Sequence, residues 1–208
     1  MGPIKPYDSI MITEGKIKQH PERTATGEEG RILAEGMIAH IGFHVEGRTH
    51  VIPMSYHYDP SRPDCIYIHG NKASRLMKAI CSGIPVCVEV TLLEGLVYSR
   101  SAKYHSMNYR SVVCFGNGRE VNDNKEKAEI FRDAIDRYFP GREEGRDYKS
   151  ATTEHLTATG LAEIRITEWS AKAREGGPKG PLEGGPKGPL DADPNAEGTC
   201  GVISTTSG

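Results

Sequence analysis

The stretch MIAHIGFHVEGRTHVIPMSYHY, residues 37–58, decides the fold because it predicts two strands joined by a tight turn. Residues 37–45 form an apolar run, and Glu46-Gly47-Arg48 has the composition of a turn. From residue 48 to 58 the side chains alternate between two faces, with Ile52 on one face and Val51 on the other. A period of two residues is typical of a β-strand. This part of the chain therefore predicts an antiparallel hairpin.

Further strands are predicted at residues 65–69, 85–98, 109–121 and 161–169, which makes six strands in all. Helices are fewer. A capping box at Thr26–Glu29 predicts a short helix to about residue 36, residues 72–81 predict a second, and Asp123 caps a third through about residue 139. The hairpin-like spacing predicts a mainly β fold, a six-stranded antiparallel barrel with peripheral α-helices.

The composition changes near residue 171. Residues 171–208 hold 9 Gly and 5 Pro, and the octapeptide EGGPKGPL occurs there twice, at 175–182 and 183–190. A segment without a periodic apolar face buries too little surface to offset its ordering entropy. We therefore expect an N-terminal arm at 1–23, a barrel domain at 24–170 and a flexible Gly/Pro-rich extension. Ordering of the extension against a partner subunit is the alternative.

Charge and composition exclude several classes of protein. With 26 Lys+Arg against 28 Asp+Glu the net charge is −2, which disfavours a nucleic-acid binder. No stretch approaches the roughly 18 apolar residues that a membrane span needs, and the N-terminus lacks the apolar region of a signal peptide. Five Cys without a Cys-x-x-Cys pair predict reduced thiols rather than a zinc site. We expect a cytoplasmic protein without a bound metal ion.

Residues suited to a phosphate follow the predicted strand at 65–69. Gly70 comes first, and Lys72, Ser74 and Arg75 stand at the start of the next predicted helix. The free N–H groups and the positive dipole end of a helix favour an anion. Cations are otherwise slightly unfavourable there, so these side chains indicate a bound phosphate. A solvated helix start is the alternative.

Polar and aromatic side chains also crowd the approach to the strand at 109–121. Tyr98, Tyr104 and Tyr109 could line a flat aromatic ligand, while Arg110 and Ser111 could reach a second side of a phosphate. A surface loop that leads into a strand explains the same residues without a function.

Together these motifs resemble the flavin-nucleotide-binding branch of the pyridoxamine-phosphate-oxidase-like superfamily, which includes the nitroimidazole-resistance proteins. The motifs are GF at 42–43, VIPMSY at 51–56, YIHG at 67–70 followed by Ser74-Arg75, HSMNYRSV at 105–112, SAKAR at 170–174 and GP at 177–178. The resemblance spans about residues 24–174. It implies an FMN-binding split barrel and a homodimer with the flavin at the subunit interface.

The resemblance also implies roles for individual residues. The FMN phosphate and ribityl chain would contact Lys72, Ser74, Arg75, Arg110 and Ser111. The backbone of one strand would face the isoalloxazine edge through Pro53, Met54, Ser55 and Tyr56. His69 matches a histidine near the flavin or substrate pocket, and we take His69 and Tyr109 as the catalytic candidates.

The expected function is that of a flavin oxidoreductase, which passes electrons from a reduced nicotinamide or another donor to a small nitroaromatic or quinone-like acceptor. The resemblance disfavours vitamin B6 oxidation, because true pyridoxamine-phosphate oxidases end in a substrate-binding segment that contains Arg and His. In this chain no His follows His155, and a Gly/Pro repeat occupies residues 175–190. The alternative is a non-catalytic protein that holds FMN or haem. Some split-barrel relatives bind haem, and His69 or His57 would then be the axial ligand.

Overall fold

The computed structural model describes residues 16–179 and 188–205, and its strands form one antiparallel sheet. The strands are β1 Ile38–Val45, β2 Arg48–Ser55, β3 His57–Tyr58, β4 Cys65–Asn71, β5 Pro85–Tyr98, β6 Ser106–Glu120, β7 Thr159–Arg174 and β8 Gly201–Ser204. The helices are α1 Glu29–Glu35, α2 Arg75–Cys81, α3 Asn124–Tyr138, α4 Thr153–Ala158 and α5 Pro189–Ala192.

The strand order brings the two ends of the sheet to one point of the chain. Neighbouring strands follow the order β2-β1-β5-β6-β7-β4-β3, and β8 pairs with β5 outside this path. Strands β2 and β3 therefore lie at the two ends of the sheet, although only Tyr56 separates them in the chain. The sheet must curl until its ends meet at Tyr56. The mainly β antiparallel fold with few helices is confirmed, but the described sheet has eight strands rather than the predicted six, and β2 and β3 do not pair to close it.

The gap between β2 and β3 at Tyr56, called the seam below, is bridged by α3 and not by a neighbouring strand. The Tyr56 N–H donates to Tyr138 Oη at 3.1 Å, and the Tyr138 hydroxyl donates to the Tyr56 carbonyl. Arg137 also donates to the Tyr56 carbonyl, at 2.8 Å. Buried backbone groups need partners, so the two side chains supply what the missing strand pairing does not.

The barrel interior is filled by alternating apolar residues of the strands and closed by two helices. On β5, Val86, Val88 and Val90 are buried at every second position, as the predicted pleat requires. Helix α1 contributes Ile32 and Leu33 to the same core. The described residues contain no helix that is both long and apolar enough to cross a membrane.

The helix starts differ in part from the predictions. Helix α1 begins at Glu29 and not after Thr26, because the Thr26 hydroxyl does not cap it. Ser74 caps α2 by accepting from the Met77 N–H at 3.2 Å, so the helix begins at Arg75 and not at residue 72. Helix α3 begins as predicted, capped by Asp123. Helices α4 and α5 were not predicted.

The C-terminal extension docks on the barrel where the structure describes it. Strand β7 continues through Arg174, beyond the predicted boundary at residue 170. Asp191 is buried and accepts from Ser99 Oγ at 2.6 Å and from the Arg100 N–H at 2.8 Å. Residues 188–205 were expected to be flexible, but these hydrogen bonds hold them against the sheet. The part of the repeat at residues 180–187 lies outside the described residues.

Candidate functional site

A pocket of about 960 Å³ lies over the seam, between the sheet and helices α3 and α4. Its volume is in the range of small-molecule sites. The sheet contributes Ser55, Tyr56, His57 and His69. The wall is largely apolar and comes from the two helices, with Ala128, Phe131, Ala134, Ile135, Tyr138 and Leu156 among its residues.

His69 presents an available imidazole to this pocket. It lies near the end of β4, and its ring meets Phe131 edge-on with 5.5 Å between the centroids. Within the described residues the ring has no hydrogen-bond partner. His69 is exposed on β4, but the surrounding protein desolvates its ring enough to lower the pKa below the ordinary 6.5, which favours the neutral form at pH 7. A neutral imidazole with a free nitrogen can ligate a metal or accept a hydrogen bond.

A second imidazole stands beside it. His57 on β3 pairs with Tyr67 on β4, two residues before His69, so the two histidines project from the same face of the sheet. His57 is 7% exposed and stacks on the Tyr67 ring, and its Nδ1 has no hydrogen-bond partner in the part of the chain that the structure describes. Burial lowers the pKa of His57, helped by the charge of Arg137. Both rings are therefore neutral near pH 7.

Charged side chains hold the helices that wall the pocket. Lys127 on α3 is buried, and its ammonium donates to the carbonyls of Leu156 and Thr159 at 2.9 and 3.0 Å. It thereby ties the end of α4 to α3. At the mouth, Arg132 pairs with Glu144 at 2.9 Å. Among residues 16–179 and 188–205, no group of three or more His, Cys, Asp or Glu is arranged to hold a metal ion by itself.

The predicted flavin-facing strand lies partly at this pocket. Ser55 and Tyr56 line it, whereas Pro53 is exposed and Met54 half-buried on β2. As an end strand of the sheet, β2 keeps one edge without a strand neighbour, which suits recognition of a polar ring edge. The Tyr56 backbone is not available in this way, because Tyr138 and Arg137 bind it.

The first set of predicted phosphate-binding residues is only partly free to bind a ligand. Lys72 Nζ lies 3.4 Å from Glu120 Oε1, and the Ser74 hydroxyl is used to cap α2. Arg75 is exposed and forms no ion pair within the described residues. These three residues lie next to the Glu120 end of β6.

The second set of predicted phosphate-binding residues lies toward the opposite end of β6. Arg110 binds Glu94 through Nε at 2.5 Å and Glu35 through a terminal nitrogen at 2.6 Å, and the hydrogen bond to Glu35 raises its pKa. Ser111 is the next residue on the strand and therefore faces the other way. Arg110 and Ser111 do not face one phosphate together. Ten residues separate Arg110 from Glu120, roughly 33 Å of strand.

The two catalytic candidates are separated as well. His69 pairs with Leu161 and Tyr109 with Arg174, thirteen residues apart on β7. That separation is roughly 40 Å of strand. One copy of the chain therefore does not bring His69 and Tyr109 into one site.

Several pocket residues were not predicted from the sequence. Phe131 and Ile135 were recognised as the apolar face of α3, but that face lines the pocket and not the barrel interior. His155 gave no signal of a site, and neither did Lys127, which does not line the pocket but ties α4 to α3. Their positions depend on how α4 packs against α3, which the sequence pattern does not specify.

The site is thus a large, mostly apolar pocket with neutral imidazoles, set on a split barrel. A family model described as pyridoxamine 5'-phosphate oxidase matches residues 27–173. The chain belongs to the pyridoxamine 5'-phosphate oxidase family. The sequence-based assignment to this superfamily is confirmed. A comparison with curated proteins found no match.

Two solved structures resemble the chain over most of its length. The flavocytochrome Anf3 from Azotobacter vinelandii is 30% identical, with a TM-score of 0.78 over 94% of this chain and 86% of that one. The FAD and heme binding protein from Mycobacterium smegmatis is 28% identical, with a TM-score of 0.74 over 89% of this chain and 85% of that one.

A more distant structure shares the fold. It is a 5-nitroimidazole antibiotic resistance protein from Bacteroides thetaiotaomicron, 20% identical, with a TM-score of 0.58 over 73% of this chain and 88% of that one.

Proposed function

We propose that this protein binds a flavin and a haem and functions in electron transfer. The observation that carries the proposal is the neutral, partner-free imidazole of His69 in a largely apolar pocket of about 960 Å³. Support comes from the two relatives described above, one named a flavocytochrome and one named for FAD and heme.

The pocket fits a haem in three respects. His69 would ligate the iron through its free nitrogen, as a proximal histidine does. Phe131, Ile135 and Leu156 would exclude water from the ring. Arg132 and Lys149 line the pocket and would face the negatively charged propionate groups. His57 lies on the same face of the sheet as His69 and would be the alternative ligand.

The flavin is proposed to lie between two copies of the chain. Lys72, Ser74 and Arg75 stand at one end of β6 and Ser111 at the other, so a second copy is needed to bring both ends to one ligand. FMN is the flavin that the sequence motifs imply, and FAD is named in one relative. Chromatography of the released flavin distinguishes the two.

An exposed apolar ladder supports the homodimer. Leu96 on β5 pairs with Met107 on β6 and with Ile203 on β8. Their exposed fractions are 41%, 55% and 58%. Three large apolar side chains side by side on adjacent strands are costly to leave in water. A second copy seated on this ladder would cover them.

When bound, the flavin and the haem supply one- and two-electron transfer, and the protein orients them. The proposed reaction takes electrons from a reduced nicotinamide or another donor and delivers them to a small oxidised acceptor. A protein that only holds the cofactors, without turnover, is the rival. A cytoplasmic location remains a prediction of the sequence.

An absorption spectrum from ~300 to ~700 nm tests the proposal. The purified protein, titrated with haemin and with FMN or FAD, should show a Soret band and flavin bands near ~370 and ~450 nm. His69→Ala should lose the Soret shift and keep the flavin bands. His44→Ala is the matched control, since His44 lies on the β1–β2 hairpin and bonds Thr49.

The pH dependence provides a second test. Iron ligation needs the neutral ring, and the lowered pKa of His69 moves protonation of the ring to more acidic pH than for an ordinary histidine. Haem affinity should therefore be constant at neutral pH and fall only in more acidic solution. An unchanged Soret band in His69→Ala, or no Soret band in the wild type, would refute the haem assignment.

A further inference from the structure

Two cations share the outer face of the barrel with the predicted flavin residues Tyr109 and Ser111. Tyr109 pairs with Arg174, and Ser111 pairs with Lys172, across the β6–β7 ladder. Residues directly opposite each other in an antiparallel pair project from the same face. Arg110 lies on the other face with Glu35 and Glu94. The cations that accompany Tyr109 and Ser111 are therefore Lys172 and Arg174.

Arg174 is a buried charge without a carboxylate partner. It is 6% exposed and donates to Asn108 Oδ1 at 2.5 Å and to the carbonyls of Gly176 and Gly177 at 3.3 and 3.2 Å. Across residues 16–179 and 188–205, no Asp or Glu forms an ion pair with it. Burial and the charge of Arg23 both lower the pKa of Arg174.

Arg174 differs in this respect from two arginines of the sheet that are ion-paired. Arg119 reaches the buried carboxylate of Glu163 at 2.8 Å, and Arg110 holds two carboxylates. Buried arginine is normally paired because its desolvation costs several kcal/mol. The face around Arg174 carries positive charge without a negative counterpart from the described part of the chain.

The described chain beside this face is open. Within the described residues, which leave out 180–187, no atom lies within 4 Å of the position where a Cβ would stand on Gly176 or Gly177, whose carbonyls Arg174 binds. Within the described residues Arg174 Nη2 donates once and Nε not at all, so this side of the guanidinium keeps a parallel pair of N–H donors that matches a phosphate. On the same side lie the Ser111 hydroxyl, which donates to the Lys172 carbonyl at 3.4 Å, and the Lys172 ammonium, which donates to the Gln19 carbonyl at 3.1 Å.

We propose that Arg174, with Lys172 beside it, binds the phosphate group of the flavin. The proposal rests on the flavin binding proposed above, and it assigns the phosphate to residues other than Arg110. The ligand class is a phosphate or pyrophosphate ester. The Arg174 fork binds the phosphate oxygens, and Lys172 adds charge at the exposed rim.

Comparison of FMN with riboflavin isolates the phosphate. Both are titrated into the full chain, and the ratio of the two dissociation constants is measured. Arg174→Met should weaken FMN at least tenfold, about 1.4 kcal/mol, and change riboflavin less than twofold. Arg174→Lys keeps the charge and loses the fork, so we expect an intermediate ratio. Lys172→Ala should give a smaller loss of FMN affinity.

Two control variants make the result specific. Arg110→Met removes a neighbouring arginine on the opposite face and should leave the FMN-to-riboflavin ratio unchanged. The double variant Lys72→Ala with Arg75→Ala tests the phosphate-binding residues that the sequence indicated at the start of α2. Equal losses of FMN and riboflavin in Arg174→Met would show a structural role only. If the FMN-to-riboflavin ratio of dissociation constants rises in the double variant and not in Arg174→Met, the phosphate lies at the start of α2.

A failure of the proposed function gives a different result. If the wild type binds none of FMN, FAD and riboflavin, flavin binding is refuted. The phosphate site is then decided by thermal melting in millimolar pyrophosphate. Wild type should be stabilised and Arg174→Met should not be, whereas equal shifts in both proteins would overturn the site.

Discussion

Arg137→Met is expected to weaken the seam at which the barrel closes. Arg137 lies in the last turn of α3 and donates to four backbone carbonyls. They belong to Tyr56 at 2.8 Å, Leu33 at 2.9 Å, Ala34 at 3.2 Å and Gly36. The guanidinium also lies 4.7 Å from the centre of the Tyr56 ring. Methionine keeps most of the apolar stem and removes every donor.

The magnitude follows from which carbonyls keep a partner. The Leu33 carbonyl retains the Tyr56 hydroxyl at 2.6 Å, and the Tyr56 carbonyl retains the Tyr138 hydroxyl. The carbonyls of Ala34 and Gly36 lose the donor from Arg137. An unsatisfied buried carbonyl costs about 1–3 kcal/mol. Since water relieves part of this cost at a half-buried site, we expect a loss of about 2–4 kcal/mol in the free energy of unfolding.

Urea denaturation of the full chain measures this loss as a shift of the midpoint at constant m-value. Arg132→Met on the same helix is the control. Its partner Glu144 lies at 2.9 Å in a largely exposed pair, which predicts a change below about 1 kcal/mol. If Arg137→Met unfolds within about 1 kcal/mol of that control, Arg137 is not what holds the seam together.

Two further predictions concern the extension and a close packing contact. Burial raises the pKa of Asp191, but its hydrogen bonds outweigh that effect and leave it below 3.8. The carboxylate therefore stabilises docking of residues 188–205 above about pH 3.8, and this contribution is lost as the pH falls through the lowered value. Asp191→Asn should speed proteolysis of the extension at neutral pH, and an unchanged rate would contradict this. Gly118→Ala would place a Cβ 2.0 Å from Ile80 Cγ2, so we expect the free energy of unfolding, followed by thermal melting, to fall by about 1–3 kcal/mol. Gly177→Ala, whose Cβ would meet open space within the described residues, should leave it unchanged. Equal melting shifts would count against the contact.

The barrel was predictable because its strands carry local signals. The hairpin at residues 37–58 has period-2 alternation and a turn at Glu46 and Gly47, both with positive φ. The strand at Pro85–Tyr98 has the predicted bounds. Strand burial repeats every two residues whatever the neighbours are, so the pattern is visible in one dimension.

The docked extension was missed because its anchors are polar and distant in sequence. Asp191 binds Ser99, and Arg100 donates to the carbonyls of Leu190, Asp193 and Gly198. A single buried carboxylate does not produce a periodic pattern in the sequence. A Gly/Pro-rich segment anchored in this way looks the same in sequence as a flexible one.

Tertiary register decided which candidate residues share a site. Arg110 and Ser111 are adjacent in the motif, yet the pleat places them on opposite faces of β6, and the register across β7 places Arg174 and Lys172 beside Tyr109 and Ser111. A motif lists residues in order and does not specify their faces or their partners across strands.

The sequence by itself determined the barrel strands, helix α3 and the family, since each rests on local periodicity or on an ordered run of motifs. Only the tertiary structure decided where the barrel closes, that α3 covers the seam, and that His69 faces an apolar pocket. These features depend on contacts between residues far apart in the chain, such as Arg137 with Leu33. Long-range side-chain contacts to backbone carbonyls carry no local sequence signal.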